Sequence, residues 1–125
     1  MTDLADKSCA ACRAGVPPAT PAEIAAYLPQ LPGWRITGAD GIKRLEKSFS
    51  CKNFAAALAL TNRIAVIAEQ ENHHPAIVTE WGRVTVSWWT HAIAGLHVND
   101  FIMAAKTDRA CAVAVAKAPS SSGTA

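Results

Sequence analysis

The chain has no long apolar run, no block of like charge and no glycine-rich loop, and each absence removes a class of function. No stretch approaches the roughly 20 apolar residues that span a bilayer, so no membrane partner is expected. The 12 Lys and Arg residues are scattered among 10 Asp and Glu, for a formal net charge of +2. A nucleic-acid binder concentrates basic charge on one face or tail, so no nucleic-acid partner is expected either. Internal repeats and phosphate loops are missing. The opening residues Met1, Thr2, Asp3, Leu4, Ala5 and Asp6 are acidic where a secretory signal is basic, and no apolar core follows them. A cytoplasmic protein is the resulting expectation.

Cysteine is also sparse. Of the four, only Cys9 and Cys12 have a suggestive spacing, C-x-x-C. A structural zinc site needs about four ligands, and no second such pair is nearby. A redox C-x-x-C belongs at a strand-to-helix junction, whereas this one precedes Gly15, Val16, Pro17 and Pro18. The pair is therefore expected to be neither a metal site nor a redox site. Cys51 and Cys111 fall in predicted helices and read as small buried apolar residues.

What is present is an ordinary globular balance. The 125 residues suit one domain, and half of them are hydrophobic, enough for a modest core. Residues 1–19 read as an irregular arm, 20–117 as the folded domain and 118–125 as a small, polar, disordered tail. Thr20, Pro21 and Glu23 have the spacing of a capping box, predicting a helix from Ala22 to about Leu28 that Pro29 and Pro32 stop. Trp34 to Thr37 and Ile42 to Phe49 read as strands joined by residues 38–41. Ser50 is expected to cap a helix from Cys51 to about Asn72, whose apolar stripe contains Phe54, Leu58, Ile64, Ala65 and Ala68.

Pro75 ends that helix, because the residue before a proline avoids the α region. Ala76 to Glu80 is a short strand, and Trp81 and Gly82 form a turn. Arg83 to His91 alternates with period two, with Val84, Val86 and Trp88 on one face and Thr85, Ser87, Trp89 and His91 on the other. A last helix runs from about Asn99 to Ala116. The order helix-strand-strand-helix-strand-strand-helix implies an α+β, two-layer sandwich: a four-stranded antiparallel sheet with helices packed on one face.

Three of the four histidines lie within nineteen positions. His73 and His74 close the long helix, and His91 closes the Arg83 strand. Antiparallel pairing through the Trp81–Gly82 turn returns His91 beside His73 and His74. Glu69 lies one helical turn before His73, and Asp100 opens the last helix, where the dipole favours a carboxylate. Imidazoles beside carboxylates suit acid–base chemistry near neutral pH, and Trp81, Trp88 and Trp89 can wall a pocket for a flat heterocycle. Two other readings stand beside this one. Histidines at a helix C-terminus are favoured by the dipole alone, and three histidines with a carboxylate can bind zinc. Adjacent histidines rarely share an ion, however, and no H-x-H or H-x-x-x-H spacing occurs.

The run Glu69, Gln70, Glu71, Asn72, His73, His74, Pro75, followed by Trp81, His91 and Asp100 at intervals of five, nine and eight, resembles the signature of the pterin-4a-carbinolamine dehydratase family. Leu31-Pro32-Gly33-Trp34, Gly95-Leu96 and Asn99-Asp100-Phe101 add to the resemblance, which covers roughly residues 20–115. It implies dehydration of a 4a-hydroxytetrahydrobiopterin-like carbinolamine to the quinonoid dihydropterin, recycling the pterin of an aromatic amino-acid hydroxylase. His73 and His91 are the implied acid–base groups, and His74 the residue that orients the pterin. Glu69, Trp81 and Asp100 are implied substrate-side contacts. The resemblance implies no metal and no organic cofactor, and assembly as a homodimer or homotetramer. His97 departs from the Thr or Ser common in relatives and puts the cap of the last helix in doubt. A non-catalytic binding or assembly protein with the same fold is the alternative.

Overall fold

In the computed structural model, residues 4–9 and 16–117 are described. Helix α1 (Pro21–Tyr27) starts at the expected capping box, with the Thr20 side chain accepting from the Glu23 N–H and the Glu23 carboxylate accepting from the Thr20 N–H. Strands β1 (Arg35–Ala39) and β2 (Ile42–Ser50) follow, then helix α2 (Phe54–Glu71), strands β3 (Ala76–Glu80) and β4 (Arg83–Trp88), and helix α3 (Val98–Lys117). The four strands form one antiparallel sheet in the order β1-β2-β4-β3. Helices α2 and α3 pack together on one face of it. The α+β architecture inferred from the sequence is the one observed.

Several boundaries differ for local reasons. The β1–β2 connection shrinks to Asp40 and Gly41, both at positive φ (54° and 76°), as a two-residue hairpin turn requires. Ser50 does not cap α2; it extends β2 opposite Arg83. Asn53 is the cap, its side-chain oxygen accepting the Ala56 N–H at 2.8 Å. Cys51 therefore lies outside the helix, its N–H bound to Gly82 O at 2.9 Å across the β3–β4 turn. Burial pushes both the Cys51 and Cys111 thiols above their ordinary pKa, which disfavours the reactive thiolate and suits their reading as packing residues. Cys12 lies outside the described residues.

The inner face of α2 is formed by Ala57, Leu60, Ile64 and Ala68, all buried. Phe54 and Leu58, assigned to the inner stripe from the sequence, are about half exposed. Leu45 and Phe49 of β2 and Val84, Val86 and Trp88 of β4 meet this face, with Phe101, Ile102 and Met103 of α3 completing the core. The residues around Leu4 are not a loose arm: Leu4–Asp6 form a short 3-10 turn against α3, with Leu4 and Ala5 buried. Lys106 Nζ donating to Ala5 O at 2.9 Å and Arg109 pairing with Asp6 at 2.7 Å tie the turn to α3 as well. On the other face of the sheet, Ser87 bonds Glu46 at 2.9 Å and Ser48 pairs with Thr85 at 2.9 Å.

Candidate active site

The end of α2 decides where the histidines go. Asn72 adopts the left-handed conformation (φ 52°), its N–H reaching back to Glu69 O and the His73 N–H to Ala68 O. This is a Schellman closure, in which a left-handed residue turns the chain sharply while satisfying the last carbonyls. Asparagine tolerates that conformation better than most residues. The turn sends His73 inward and leaves His74 outside.

His73 is 5% exposed, and its Nε2 lies 2.7 Å from Oδ1 of Asp100, which is wholly buried. The other carboxylate oxygen of Asp100 accepts from Thr90 Oγ1 at 2.8 Å and from the His97 N–H at 2.9 Å. Since a carboxylate oxygen only accepts, Oδ1 is the acceptor of the His73 Nε2–H. The His73 ring stacks on the buried Trp88 indole, with centroids 5.7 Å apart and planes 7° apart. Trp88 is itself anchored by Thr107, whose hydroxyl accepts from Nε1 at 3.0 Å. His73 is thus fixed by a carboxylate at its edge and an indole at its face.

Asp100 has a second task. His97 Nδ1 accepts the Asn99 N–H at 3.0 Å while Asp100 accepts the His97 N–H. These reciprocal bonds resemble a capping box, with histidine in the place of serine or threonine and its ring accepting from the second rather than the third helical residue. The fourth histidine therefore resolves the doubt about the cap of α3, and the same carboxylate joins that cap to His73.

His74 is exposed, and its Nε2 lies 2.5 Å from Oε2 of Glu69. Glu69 was placed beside His73 from helical spacing; the turn at Asn72 gives it His74 instead. His91 does not close β4, which ends at Trp88. Thr90 pairs with Gly95 through two backbone hydrogen bonds, and His91–Ile93 form a 3-10 turn inside that loop. The exposed His91 ring stacks on Trp89 at 4.5 Å. The Ala76–Ser87 pairing still brings the chain leaving β4 alongside the chain entering β3, so the three histidines flank the same end of the sheet. Trp81 does not join them: it is 74% exposed at the far turn of the hairpin, five residues of β3 or roughly 17 Å away.

Among the described residues no group of three His, Cys, Asp or Glu side chains is arranged to hold a metal ion. His73 and His74 turn to different carboxylates. No described helix is long and apolar enough to cross a membrane.

A family model for pterin 4 alpha carbinolamine dehydratase matches residues 17–110. The chain belongs to that family. It is 56% identical over 108 residues to a protein of Syntrophotalea carbinolica provisionally named a pterin-4-alpha-carbinolamine dehydratase, covering 86% of this chain and 96% of the relative. Among solved structures, it is similar to a transcriptional coactivator/pterin dehydratase from Brucella melitensis, at 31% identity and a TM-score of 0.67, covering 75% of this chain and 98% of that one. It also shares its fold with a pterin dehydratase-like RuBisCO assembly factor of the alpha-carboxysome, at 23% identity and a TM-score of 0.53, covering 62% and 88%. The site residues that the family signature singled out lie within the matched segment.

Proposed function

We propose that this chain is a hydro-lyase that dehydrates a pterin 4a-carbinolamine, with His73 and His91 as the acid–base pair and His74 orienting the pterin. In the reaction the C4a–O bond breaks as the hydroxyl takes a proton and leaves as water. The N5–H gives up its proton, and its electron pair forms the N5–C4a double bond of the quinonoid dihydropterin. One group must deliver a proton and another remove one, which two imidazoles can do near neutral pH. Family membership supports the reaction; the buried His73–Asp100 pair at 2.7 Å carries the choice of residues, because a buried carboxylate fixes an imidazole's orientation and tautomer. Glu69 would steady His74. Asp100, wholly buried behind His73, would act on the substrate only through that histidine.

The product would be the quinonoid dihydro form, which a two-electron reduction by another enzyme returns to the tetrahydropterin of an aromatic amino-acid hydroxylase, in a cytoplasmic enzyme that itself needs no metal or organic cofactor. Self-association as a dimer or tetramer is supported by the exposed Phe54, Leu58 and Val66 of α2 and Val78 of β3, apolar surface left uncovered in one chain. A non-catalytic assembly role is the second reading, since the fold is shared with an assembly factor. Dehydration of freshly generated 4a-carbinolamine, followed by absorbance, separates the two. The proposal expects turnover well above buffer, lost by about 10²-fold or more in His73→Ala and in His91→Ala. Wild-type protein no faster than buffer overturns it.

A further inference from the structure

Among the described residues, His91 alone of the three histidines has no carboxylate partner. His73 is held by Asp100 and His74 by Glu69. The His91 imidazole makes no hydrogen bond or ion pair with any described residue, and its ring contact is the indole of Trp89, 4.5 Å away and inclined by 29°. Its backbone lies in a short exposed turn. A proton-transfer group needs a defined orientation, and here the indole is the group in place to define it.

Trp89 is in turn contacted by a second side chain. The β2–β4 register sets Leu45 opposite Trp88, so continuing it sets Arg44 across from Trp89, on the face of the sheet away from the helices. The Arg44 guanidinium carbon lies 4.4 Å from the Trp89 ring centroid. A planar guanidinium stacks on an indole and is attracted by its π face. Arg44 Nε is buried with no hydrogen-bond acceptor among the described residues, so the indole is the contact shown for this end of the side chain. A guanidinium and an imidazole both lie within 4.5 Å of the ring of half-buried Trp89.

We propose that Trp89, clamped by Arg44, is a positioning residue for His91, setting the plane of the imidazole for proton transfer. The proposal rests on the reading that His91 acts in the dehydration. Two consecutive tryptophans then serve two histidines from opposite faces of β4: Trp88 backs His73 from the core and Trp89 backs His91 from outside.

The test is steady-state kinetics on Trp89→Leu, Trp89→Phe, His91→Ala and the double variant Trp89→Leu/His91→Ala. It is paired with NMR of the His91 ring protons, which the indole shifts upfield. Trp89→Leu is expected to lower kcat about tenfold with KM within about twofold, to abolish the upfield shift, and to cost nothing further in the His91→Ala background. Trp89→Phe, which keeps a ring to stack on, retains most of both. Arg44→Gln, which leaves both rings in place, is expected to lower kcat about threefold, again only when His91 is present; it carries the test if Trp89→Leu does not fold. Wild-type kcat in Trp89→Leu or Arg44→Gln beside a slow His91→Ala overturns the proposal alone. So does a raised KM at unchanged kcat, which would make Trp89 a substrate platform. A His91→Ala enzyme as fast as wild type removes the underlying reading and the proposal with it.

Discussion

His73 and His74 are neighbours in sequence, and each has a carboxylate partner, yet the two pairs are physically opposite. The His73–Asp100 side chains are 5% and 0% exposed, the His74–Glu69 side chains 52% and 76%. The first pair is tied to Thr90, to the cap of α3 and to Trp88. The second stands in water, where an ion pair is screened and contributes little. Proximity in sequence says nothing of this. One left-handed residue, Asn72, separates a buried imidazole held on two sides from an exposed one.

The largest expected effect comes from emptying the buried side of the comparison. Asp100→Ala leaves the His73 Nε2–H, the Thr90 hydroxyl and the His97 N–H without their acceptor, and is expected to cost about 3 kcal/mol or more of stability in urea denaturation. It should also abolish measurable dehydration. His91→Ala is expected to lower kcat about 10²-fold while moving the stability by less than about 0.5 kcal/mol, because the ring is exposed. A large stability loss there would show that His91 is a packing residue. His74→Ala is expected to raise KM severalfold, roughly 3–10-fold, with kcat little changed, the signature of lost ground-state binding. Equal losses in His73→Ala and His74→Ala would erase the distinction drawn between them. The smallest effect is expected at Trp81, where substitution by Ala changes the rate less than about twofold if the pocket is confined to this end of one chain's sheet.

Much of this was legible in the sequence, and what was not has specific causes. The capping box of α1, the alternation in β4 and the proline after His74 are local signals, and they gave the element order and the sheet class. Ser50 misled because serine is a good cap and a tolerable strand residue, and the pairing with β4 that decides between them is not local. Phe54 and Leu58 misled because apolar spacing marks a face without saying which face finds the core, whereas the small Ala57 and Ala68 allow α2 to sit close to the sheet. Glu69 was assigned to the wrong histidine because helical spacing cannot register a left-handed residue at position 72. Asp100 was marked for its place at a helix start, but its bonds to His73 and Thr90 needed the tertiary fold. Arg44 was missed altogether: nothing in its local sequence points across β2 to Trp89. The order β1-β2-β4-β3 is what creates that contact, and the alternation of Trp88 and Trp89 was the one clue to it.

The most direct test sets Asp100→Asn beside Glu69→Gln in the carbinolamine dehydration assay. Each substitution keeps size and removes one carboxylate. In Asp100→Asn the new side-chain amide would offer an N–H to His73 Nε2 and force the other tautomer, so this variant is expected to lower kcat about 10²-fold or more. Glu69→Gln, on the exposed pair, is expected to stay within about threefold of wild type. Both variants within threefold of wild type, or the reverse order, would contradict the account.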